Sequence, residues 1–252
     1  MATSLTSTGV TFPDATSQTT AGVPPTGTGA SGTWGISISG NAATASNGGV
    51  TSVNGSTGAV TVASGGDYIM RTYTSPATWT KPAGLKAVKV TVIGAGGNGG
   101  STVSSIYGIL AGAGSGAGGA IKYIPAPSIP GPVAATVGSA PSKTSSFGAF
   151  CSATGGGNGS TASVPGTPTA VIAGGTGSGG DLNASGEESS YPVKGGDSAF
   201  GFGIGARQYS RPPASPGIPG TGYGSGAQGA VGPGGRTGVG GQPGVVIVEE
   251  FY

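Results

Sequence analysis

The sequence contains no histidine and a single cysteine, Cys151. Without histidine a Ser-His-Asp triad cannot form and the commonest metal ligand is missing, while one cysteine allows neither an internal disulfide nor a cysteine-based zinc site. We therefore expect no metal and no cofactor. Cys151 lies in the strand-like stretch FGAFCSAT, where we predict a small buried side chain rather than a catalytic nucleophile.

Charge is also scarce, with 10 basic and 8 acidic residues among 252 and a net charge of +2. Such a balance gives no polyelectrolyte field, so we expect no nucleic-acid partner. Residues 1–20 lack the basic start and apolar centre of a secretory signal, and the longest aliphatic run, VVIV at 245–248, is too short to cross a bilayer. We expect synthesis without a signal peptide and no membrane insertion.

Glycine and proline are abundant, with 57 and 19 residues that together make up about 30% of the chain. That fraction is typical of low-complexity or disordered segments. Disorder, however, usually accompanies high charge and few apolar residues, whereas this chain is 35% hydrophobic and 7% charged. The composition therefore favours a folded protein that uses glycine backbone heavily and has modest side-chain cores.

One glycine-rich stretch, KVTVIGAGGNGG at 89–100, has the G-x-G-x-x-G spacing of a dinucleotide-binding loop. Such a loop must open a helix, yet the following residues are too rich in glycine for one. The acidic residue expected about 20 positions later is also missing, because no Asp or Glu lies between Asp67 and Asp181. These two absences exclude the nucleotide-binding interpretation.

A second pattern explains these glycines. From Gly226 to Gly244 every third residue is glycine, the period of an extended left-handed helix with three residues per turn. At about 3.1 Å per residue this run predicts a rod of roughly 56 Å that leads into the last strand. Shorter versions occur at Gly94, Gly97 and Gly100 and at Gly174, Gly177 and Gly180. We predict a bundle of such polyglycine rods within one chain, in preference to a collagen triple helix.

Alternating and β-branched stretches predict the remaining elements. Residues 1–47 form a neck or attachment segment in which only Trp34, Ile36 and Ile38 alternate as in a strand, and residues 48–66 hold a hairpin signal at Asn54-Gly55 and a joint. Residues 67–252 form a glycine-rich β domain, in which Leu85, Val88, Val90 and Val92 lie mostly on one face and Lys86 and Lys89 are available to the other. Further strands are predicted at DYIMRTYTS, TWTKPAG, AIKYIPA, PVAATVG and GVVIVEEFY.

The ordered series TWTKPAGLKAVKVTVIGAGGNGG, GGAIKYIPAP, ATVGSA, SSFGAFCSATGG, GGDSAFGFG and GVGGQPGVVIVEEFY, over residues 68–252, resembles the glycine-rich tip domain of bacteriophage tail fibres and receptor-binding proteins. GTWGISISGNAATAS and GVTSVNGSTGAVTV resemble the neck and shaft segments of phage fibres, in particular those of cyanophages. A looser similarity extends to the T-even fibre-tip adhesins.

The resemblance implies a mainly β fold with polyglycine helices, a fibrous N-terminal part and a homotrimeric tip. It further implies a virion protein, made in the host cytoplasm, that joins the tail or baseplate through its N-terminal end. Its C-terminal domain would then meet a bacterial surface glycan or an outer-membrane protein.

Non-glycine insertions between the rods are the candidate receptor-binding segments, because loops on a rigid frame can vary without disturbing it. Their aromatic and arginine side chains suit sugar rings and anionic groups. The same tyrosines could instead cap the rods, and the arginines could simply be solvated. The segments are 101–110, 181–194 and 206–216, and the candidate residues are Ile106, Tyr107, Glu187, Tyr191, Arg207, Tyr209 and Arg211.

Three other functions remain as alternatives at this point. A depolymerase needs paired carboxylates, and the neighbours Glu187 and Glu188 would point to opposite sides of an extended loop, so we expect no enzymatic activity. A structural fibre protein without receptor specificity has the same composition. An ice-binding protein could use flat glycine helices, but the β-rich base and long insertions argue against a regular ice-binding face.

Overall fold

A computed structural model describes residues 67–103, 109–140, 142–163, 171–189, 194–206 and 214–252, together with five short strands before residue 58. The chain divides into two compact units, Met1–Val62 and Ala63–Tyr252. In its described residues the protein is mainly β, and the helices there are two single 3₁₀ turns, Ala126–Ser128 and Ala199–Gly201.

The N-terminal unit contains two small antiparallel groups of strands. Strands β1 (Ser4–Thr6), β2 (Gly9–Thr11) and β3 (Ser17–Gln18) follow one another in a meander, and β4 (Ser52–Val53) pairs with β5 (Ser56–Thr57). Val53 opposes Ser56, so only Asn54 and Gly55 connect the two strands, which confirms the predicted hairpin. The predicted strand at Trp34, Ile36 and Ile38 lies outside the described residues.

The C-terminal unit contains two antiparallel five-stranded sheets. Alternating and β-branched residues predicted most of their longer strands. The bounds are β6 Tyr68–Tyr73, β7 Ala77–Trp79, β8 Ala87–Ile93, β9 Gly119–Pro125, β10 Val133–Thr136, β11 Ser145–Phe147, β12 Cys151–Ala153, β13 Gly177–Ser178, β14 Leu182–Ala184, β15 Gly203–Ile204, β16 Thr221–Gly222 and β17 Val245–Phe251.

The order of the strands places the last one inside a sheet. One sheet runs β13-β12-β11-β10-β7 and the other runs β14-β9-β8-β17-β6, while β15 and β16 form a separate pair. Strand β17 lies between β8 and β6, which confirms that the VVIV run is interior. Strand β6 lies at the edge of its sheet.

The main hydrophobic core contains side chains from both sheets. Leu85, Val88, Val90 and Val92 all belong to it, together with Trp79, Phe147 and Cys151, so the predicted apolar face of β8 is confirmed. The opposite face of β8 is not simply left to lysines, because Ile93 is buried there beneath Phe200, Phe202 and Tyr223. Sequence alternation missed this second cluster, since its aromatic residues come from a distant part of the chain.

A buried carboxylate joins the two sheets. The Glu250 side chain on β17 has no exposed surface and accepts hydrogen bonds from Arg71 Nε at 2.7 Å on β6, Trp79 Nε1 at 2.7 Å on β7 and Tyr252 Oη at 2.9 Å. Burial alone would raise its pKa, but these donors outweigh burial and hold the pKa of Glu250 below the usual 4.5.

Glycine-rich segments leave the strands and return to them repeatedly, and we call the whole set the glycine-rich bundle. Each outgoing segment begins beside the end of a strand, and the next returning segment leads back to a strand or a 3₁₀ turn. The outgoing segments are 94–103, 154–163, 185–189, 205–206 and 223–232, and the returning segments are 109–118, 171–176, 194–198, 214–220 and 236–244.

Backbone hydrogen bonds between these segments repeat every three residues. Along 94–103, residues 94, 97 and 100 donate to 118, 115 and 112, while residues 96, 99 and 102 donate to 242, 239 and 236. The third set, 95, 98 and 101, accepts from 156, 159 and 162. Residues 97 and 100 also accept from 227 and 230, so this one segment is bonded to four neighbouring segments, each at intervals of three residues.

The returning segment 109–118 lies in the middle of the bundle. Its backbone is hydrogen-bonded to 94–103, 154–163, 171–176, 185–189, 194–199 and 223–232. Ile109 and Leu110 at its start are buried, and from residue 111 onwards its non-glycine residues are small, with Ala111, Ala113, Ser115 and Ala117 all buried. The bundle is therefore joined mainly through backbone groups, with alanine and serine filling the small spaces between segments.

Close backbone approach explains why glycine is required. A Cβ atom at Gly94, Gly96 or Gly99 would lie 2.4, 1.9 or 2.0 Å from a carbonyl oxygen of Thr154, Ser225 or Gln228. The G-x-G-x-x-G spacing thus reflects contacts of one segment with neighbouring backbones. In the described residues, glycine-rich segments of the same chain are hydrogen-bonded to one another.

The long run from Gly226 to Gly244 is not one continuous rod, so the predicted span was wrong. Residues 227 and 230 donate to 97 and 100, whereas 242 and 239 accept from 96 and 99, so the chain reverses direction in between. Gly232, Gly234 and Gly235 have positive φ angles and form the reversal. The run at Gly174, Gly177 and Gly180 is also interrupted, because Gly177 lies in β13 and Gly179 has a φ of 72°.

Candidate functional site

Three segments of the C-terminal unit, 104–108, 164–170 and 190–193, are not described. Residues next to one of these segments are hydrogen-bonded to residues next to another. Val103 N–H donates to Ala162 O at 3.0 Å, and Ser189 N–H donates to Ile172 O at 3.0 Å. The described residues that flank each of these segments are the ends of outgoing and returning segments, on the side of the bundle away from the strands. We call this side the loop end.

A fourth undescribed segment, 207–213, also stands between an outgoing and a returning segment of the chain. Ser215, which follows it, exchanges two backbone hydrogen bonds with Val231 at 2.8 and 2.9 Å, and Leu110 also pairs with Val231. Gly232 N–H donates to Ile109 O at 2.9 Å. Flanking residues far apart in sequence are thus hydrogen-bonded in pairs, which the sequence alone did not predict.

Most of the candidate receptor-binding residues belong to these connecting segments. Ile106, Tyr107, Tyr191, Arg207, Tyr209 and Arg211 lie outside the described residues. Their roles stay predictions. What the structure adds is the common position of the described residues on either side of them.

Glu187 is the one candidate that the structure describes, and its carboxylate is engaged within the chain. It forms an ion pair with Lys194 and accepts a hydrogen bond from Asp197 N–H at 3.0 Å. Lys194 also lies 3.6 Å from an Asp197 carboxylate oxygen. These contacts fasten segment 185–189 to segment 194–198. The proposed contact of Glu187 with a receptor is untested.

Two further acidic residues, Asp197 and Asp181, lie in separate places. Asp197 lies beside Glu187, as described above, and its Oδ1 accepts from Gly205 N–H at 2.7 Å. Asp181 accepts from Tyr123 N–H at 2.8 Å and lies 3.6 Å from Lys122 Nζ, next to strands β9 and β14. Each of these carboxylates has a local partner in the backbone.

Cys151 lies in β12 with its side chain in the main core, as predicted. Burial raises the pKa of its thiol to about 11. The group is therefore protonated at neutral pH, and a thiol is a much weaker nucleophile than a thiolate.

Two apolar side chains at the loop end are exposed. Val103 is 62% exposed and Val171 is 57% exposed, and each directly precedes or follows an undescribed segment. The turn at Gly232–Gly235 lies at the same end and is followed by the exposed residues Arg236 and Thr237. Sequence reasoning missed the turn, although its signal was present in Pro233-Gly234-Gly235.

The opposite side of the unit carries a different surface. On the outer face of the sheet, Tyr123 is 56% exposed, and Tyr68, Met70 and Leu182 are similarly exposed. Ion pairs between Lys89 and Glu249 at 2.8 Å and between Lys122 and Asp181 lie near these residues. This surface belongs to regular strands, whereas the loop end carries the insertions.

No protein-family model matches the chain, and no curated protein is significantly similar to it in sequence. In the described part of the chain no helix is long and apolar enough to cross a membrane. The function therefore has to be argued from the sequence resemblance and from the geometry of the loop end.

Proposed function

We propose that this protein is a bacteriophage tail fibre protein that recognises a bacterial surface receptor through the loop end of its C-terminal unit. The N-terminal unit attaches the fibre to the tail or baseplate of the virion, and three copies of the chain assemble into a homotrimer. The ordered motifs of residues 68–252, which resemble phage fibre tips, are the source of this proposal.

The observation that carries the binding function is the common position of the insertion flanks. Val103, Ile109, Ile172, Ser189 and Ser215 all make their backbone bonds to other residues at the loop end. A frame of this kind lets several variable segments act together on one ligand while the bundle keeps its hydrogen bonds. Such an arrangement favours an adhesin over a uniform structural rod.

We also propose that the bundle segments are left-handed helices of the polyglycine type. Three-residue repetition of the hydrogen bonds supports this, because a helix with three residues per turn presents the same side to a given neighbour at every third residue. Close backbone approach supports it further, because a Cβ atom added at Gly96 or Gly97 would lie 1.9 or 1.8 Å from a carbonyl oxygen of an adjacent segment. Rigid backbone helices would hold the loop end with little help from large side chains.

The insertions have a chemistry that suits a glycan. Segment 207–213 contains Arg207, Tyr209 and Arg211, and Tyr107 and Tyr191 belong to other insertions. Tyrosine rings can lie against sugar rings, and arginine binds phosphate or carboxylate groups with paired hydrogen bonds. Pro212 and Pro213 restrict the segment before it binds, which lowers the entropy cost of association. An anionic surface glycan is therefore the favoured ligand, with an outer-membrane protein as the alternative.

Competition with phage tests this proposal. Purified full-length protein should reduce phage adsorption to host cells. Replacement of Tyr107, Tyr191 or both Arg207 and Arg211 by alanine should abolish the competition while leaving the unfolding transition unchanged. Tyr123→Ala, on the sheet surface, is the matched control and should compete fully.

Other outcomes would decide against the proposal. If all three insertions can be changed without effect on adsorption, the binding assignment is wrong and a purely structural fibre protein becomes the better interpretation. We propose binding without cleavage, so incubation with host polysaccharide should release no new reducing ends. Their appearance would identify a depolymerase instead.

A further inference from the structure

Strand β6 is the first strand of the C-terminal unit and lies at the edge of its sheet. It pairs with β17 over six residue pairs, from Tyr68 opposite Phe251 to Tyr73 opposite Val246. Any tension carried by the chain from the N-terminal unit therefore reaches the C-terminal unit at Asp67 and passes first into β6.

The direction of that tension follows from the strand register. β17 begins at Val245, directly after the returning segment 236–244 of the bundle, so Tyr73 is the bundle-side end of β6 and Tyr68 is the far end. If the virion holds the N-terminal side and a receptor holds the loop end, as in the proposed function, the two forces act in opposite directions along the strands.

We propose that the β6–β17 pair is a mechanical clamp that keeps a receptor-bound fibre tip attached to its shaft. Hydrogen bonds between antiparallel strands run perpendicular to the strand axes. A force along the strands therefore strains all the bonds of the pair together, and β6 cannot leave one residue at a time.

Side chains reinforce the pair at its far end. Glu250 of β17 holds Arg71 of β6, and the same carboxylate accepts from Trp79 of the second sheet. Tyr68 Oη donates to Glu249 Oε1 at 2.8 Å, and the Tyr68 and Phe251 rings lie 5.7 Å apart between centroids. Sliding of β6 along β17 would have to break these side-chain contacts together with the backbone hydrogen bonds between the two strands. Through Trp79, Glu250 also connects the clamp to the second sheet.

The chain also offers a second direction of pulling as an internal comparison. Tyr252 N–H donates to Asp67 O at 3.1 Å, so the two residues lie at the same end of the strand pair. A force that separates Asp67 from Tyr252 would break the hydrogen bonds between β6 and β17 one residue pair at a time, beginning at that end. The same bonds should therefore be strong in one direction and weak in the other.

Single-molecule force spectroscopy on the full chain tests this asymmetry. Handles at Asp67→Cys and Val103→Cys load the strands lengthwise, because the segment that ends at Val103 continues directly from β8. Val103 is exposed, so a handle can be attached there. Handles at Asp67→Cys and at a cysteine added after Tyr252 peel the pair open. We expect a several-fold higher rupture force for the lengthwise geometry. Equal forces, or a lower force lengthwise, would overturn the clamp.

Two substitutions locate the resistance. Arg71→Met and Glu250→Gln should each lower the lengthwise rupture force. Lys122→Met is the control: Lys122 lies on β9 and its ion pair with Asp181 is outside the clamp, so its loss should leave the rupture force unchanged. Arg71→Met leaves Glu250 its bonds from Trp79 and Tyr252, so it remains informative if Glu250→Gln fails to fold. A rupture force unchanged in Arg71→Met would contradict the side-chain contribution.

The measurement needs no receptor. Failure of the chain to bind cells would refute the proposed function and leave the rupture forces as measured. Equal rupture forces in the two geometries would refute the clamp and leave receptor binding intact.

Discussion

At the scale of single residues, Gly116 has no room for a side chain. A Cβ atom there would lie 1.8 Å from the carbonyl oxygen of Asp197, and the obstacle is backbone, which cannot rotate away. Because Gly116 lies in the central segment, the strain would spread to its neighbours. We predict that Gly116→Ala lowers the free energy of unfolding by about 1–3 kcal/mol, the usual cost of overpacking a filled interior.

Denaturant unfolding of the full chain measures this, with Gly131→Ala as the matched control. Nothing lies within 4 Å of a Cβ atom at Gly131, and alanine there restricts the unfolded chain, so this variant should be neutral or slightly more stable. Equal effects of the two substitutions would contradict the close packing of the bundle.

Glu250 should make stability depend on pH. Its pKa in the folded protein is lowered, because the bonds from Arg71, Trp79 and Tyr252 outweigh the opposing effect of burial. A lowered folded pKa means that the stabilisation is complete above the pKa of the unfolded chain and is lost as the pH falls through the folded value.

We predict that Glu250→Gln destabilises the protein by about 1.5–3 kcal/mol at pH 7, the usual range for a hydrogen bond to a charged group. The difference from the unchanged protein should shrink as the pH falls below 4.5. Urea unfolding across this pH range provides the measurement, and the exposed residue Glu188, changed to Gln, provides the control. A difference that stays constant with pH would show that the charge of Glu250 is not the cause.

At the scale of elements, the turn between segments 223–232 and 236–244 depends on glycine conformation. Gly235 has a φ of 61°, in the left-handed region that costs other residues roughly 1 kcal/mol or more. We predict a loss of about 1 kcal/mol of stability in Gly235→Ala. Gly240→Ala should have little effect, because its nearest contact would be the Asn98 side chain at 3.8 Å. Thermal unfolding of both variants compares them, and equal melting temperatures would argue against a strained turn.

Sequence patterns predicted the strands better than the bundle. Val88, Val90 and Val92 alternate with other residues, so the buried face of β8 could be identified from periodicity. A glycine-rich segment gives no such signal, because a residue without a side chain does not indicate which backbone it contacts. The three-residue period also continues through Gly232 and Gly235, so it concealed the reversal of the chain.

The loop end was predictable only in part. Insertions between glycine-rich stretches identified Tyr107, Tyr191 and Arg207 as candidates, since non-glycine residues interrupt the pattern there. That the flanks of these insertions meet depends on the order of the segments in the bundle. Hydrogen bonds such as Val103 N–H to Ala162 O determine that order, and they involve backbone atoms that every sequence has.

At the scale of the whole molecule, the proposed fibre should be a homotrimer. The chain mass is 23.4 kDa, and light scattering of the purified full-length protein should give three times that value. A measured mass of one chain, 23.4 kDa, at micromolar protein concentration would contradict the trimeric fibre. It would leave the fold of the C-terminal unit as described.

The central claim is that receptor recognition belongs to the loop end, and cell staining tests it most directly. Full-length protein carrying a fluorophore should stain host bacteria. Combined replacement of Tyr107, Tyr191 and Arg207 by alanine should remove the staining, while Tyr123→Ala on the sheet surface should keep it. Staining that survives the loop-end variant, or that is lost in Tyr123→Ala with an unchanged unfolding transition, would contradict the account.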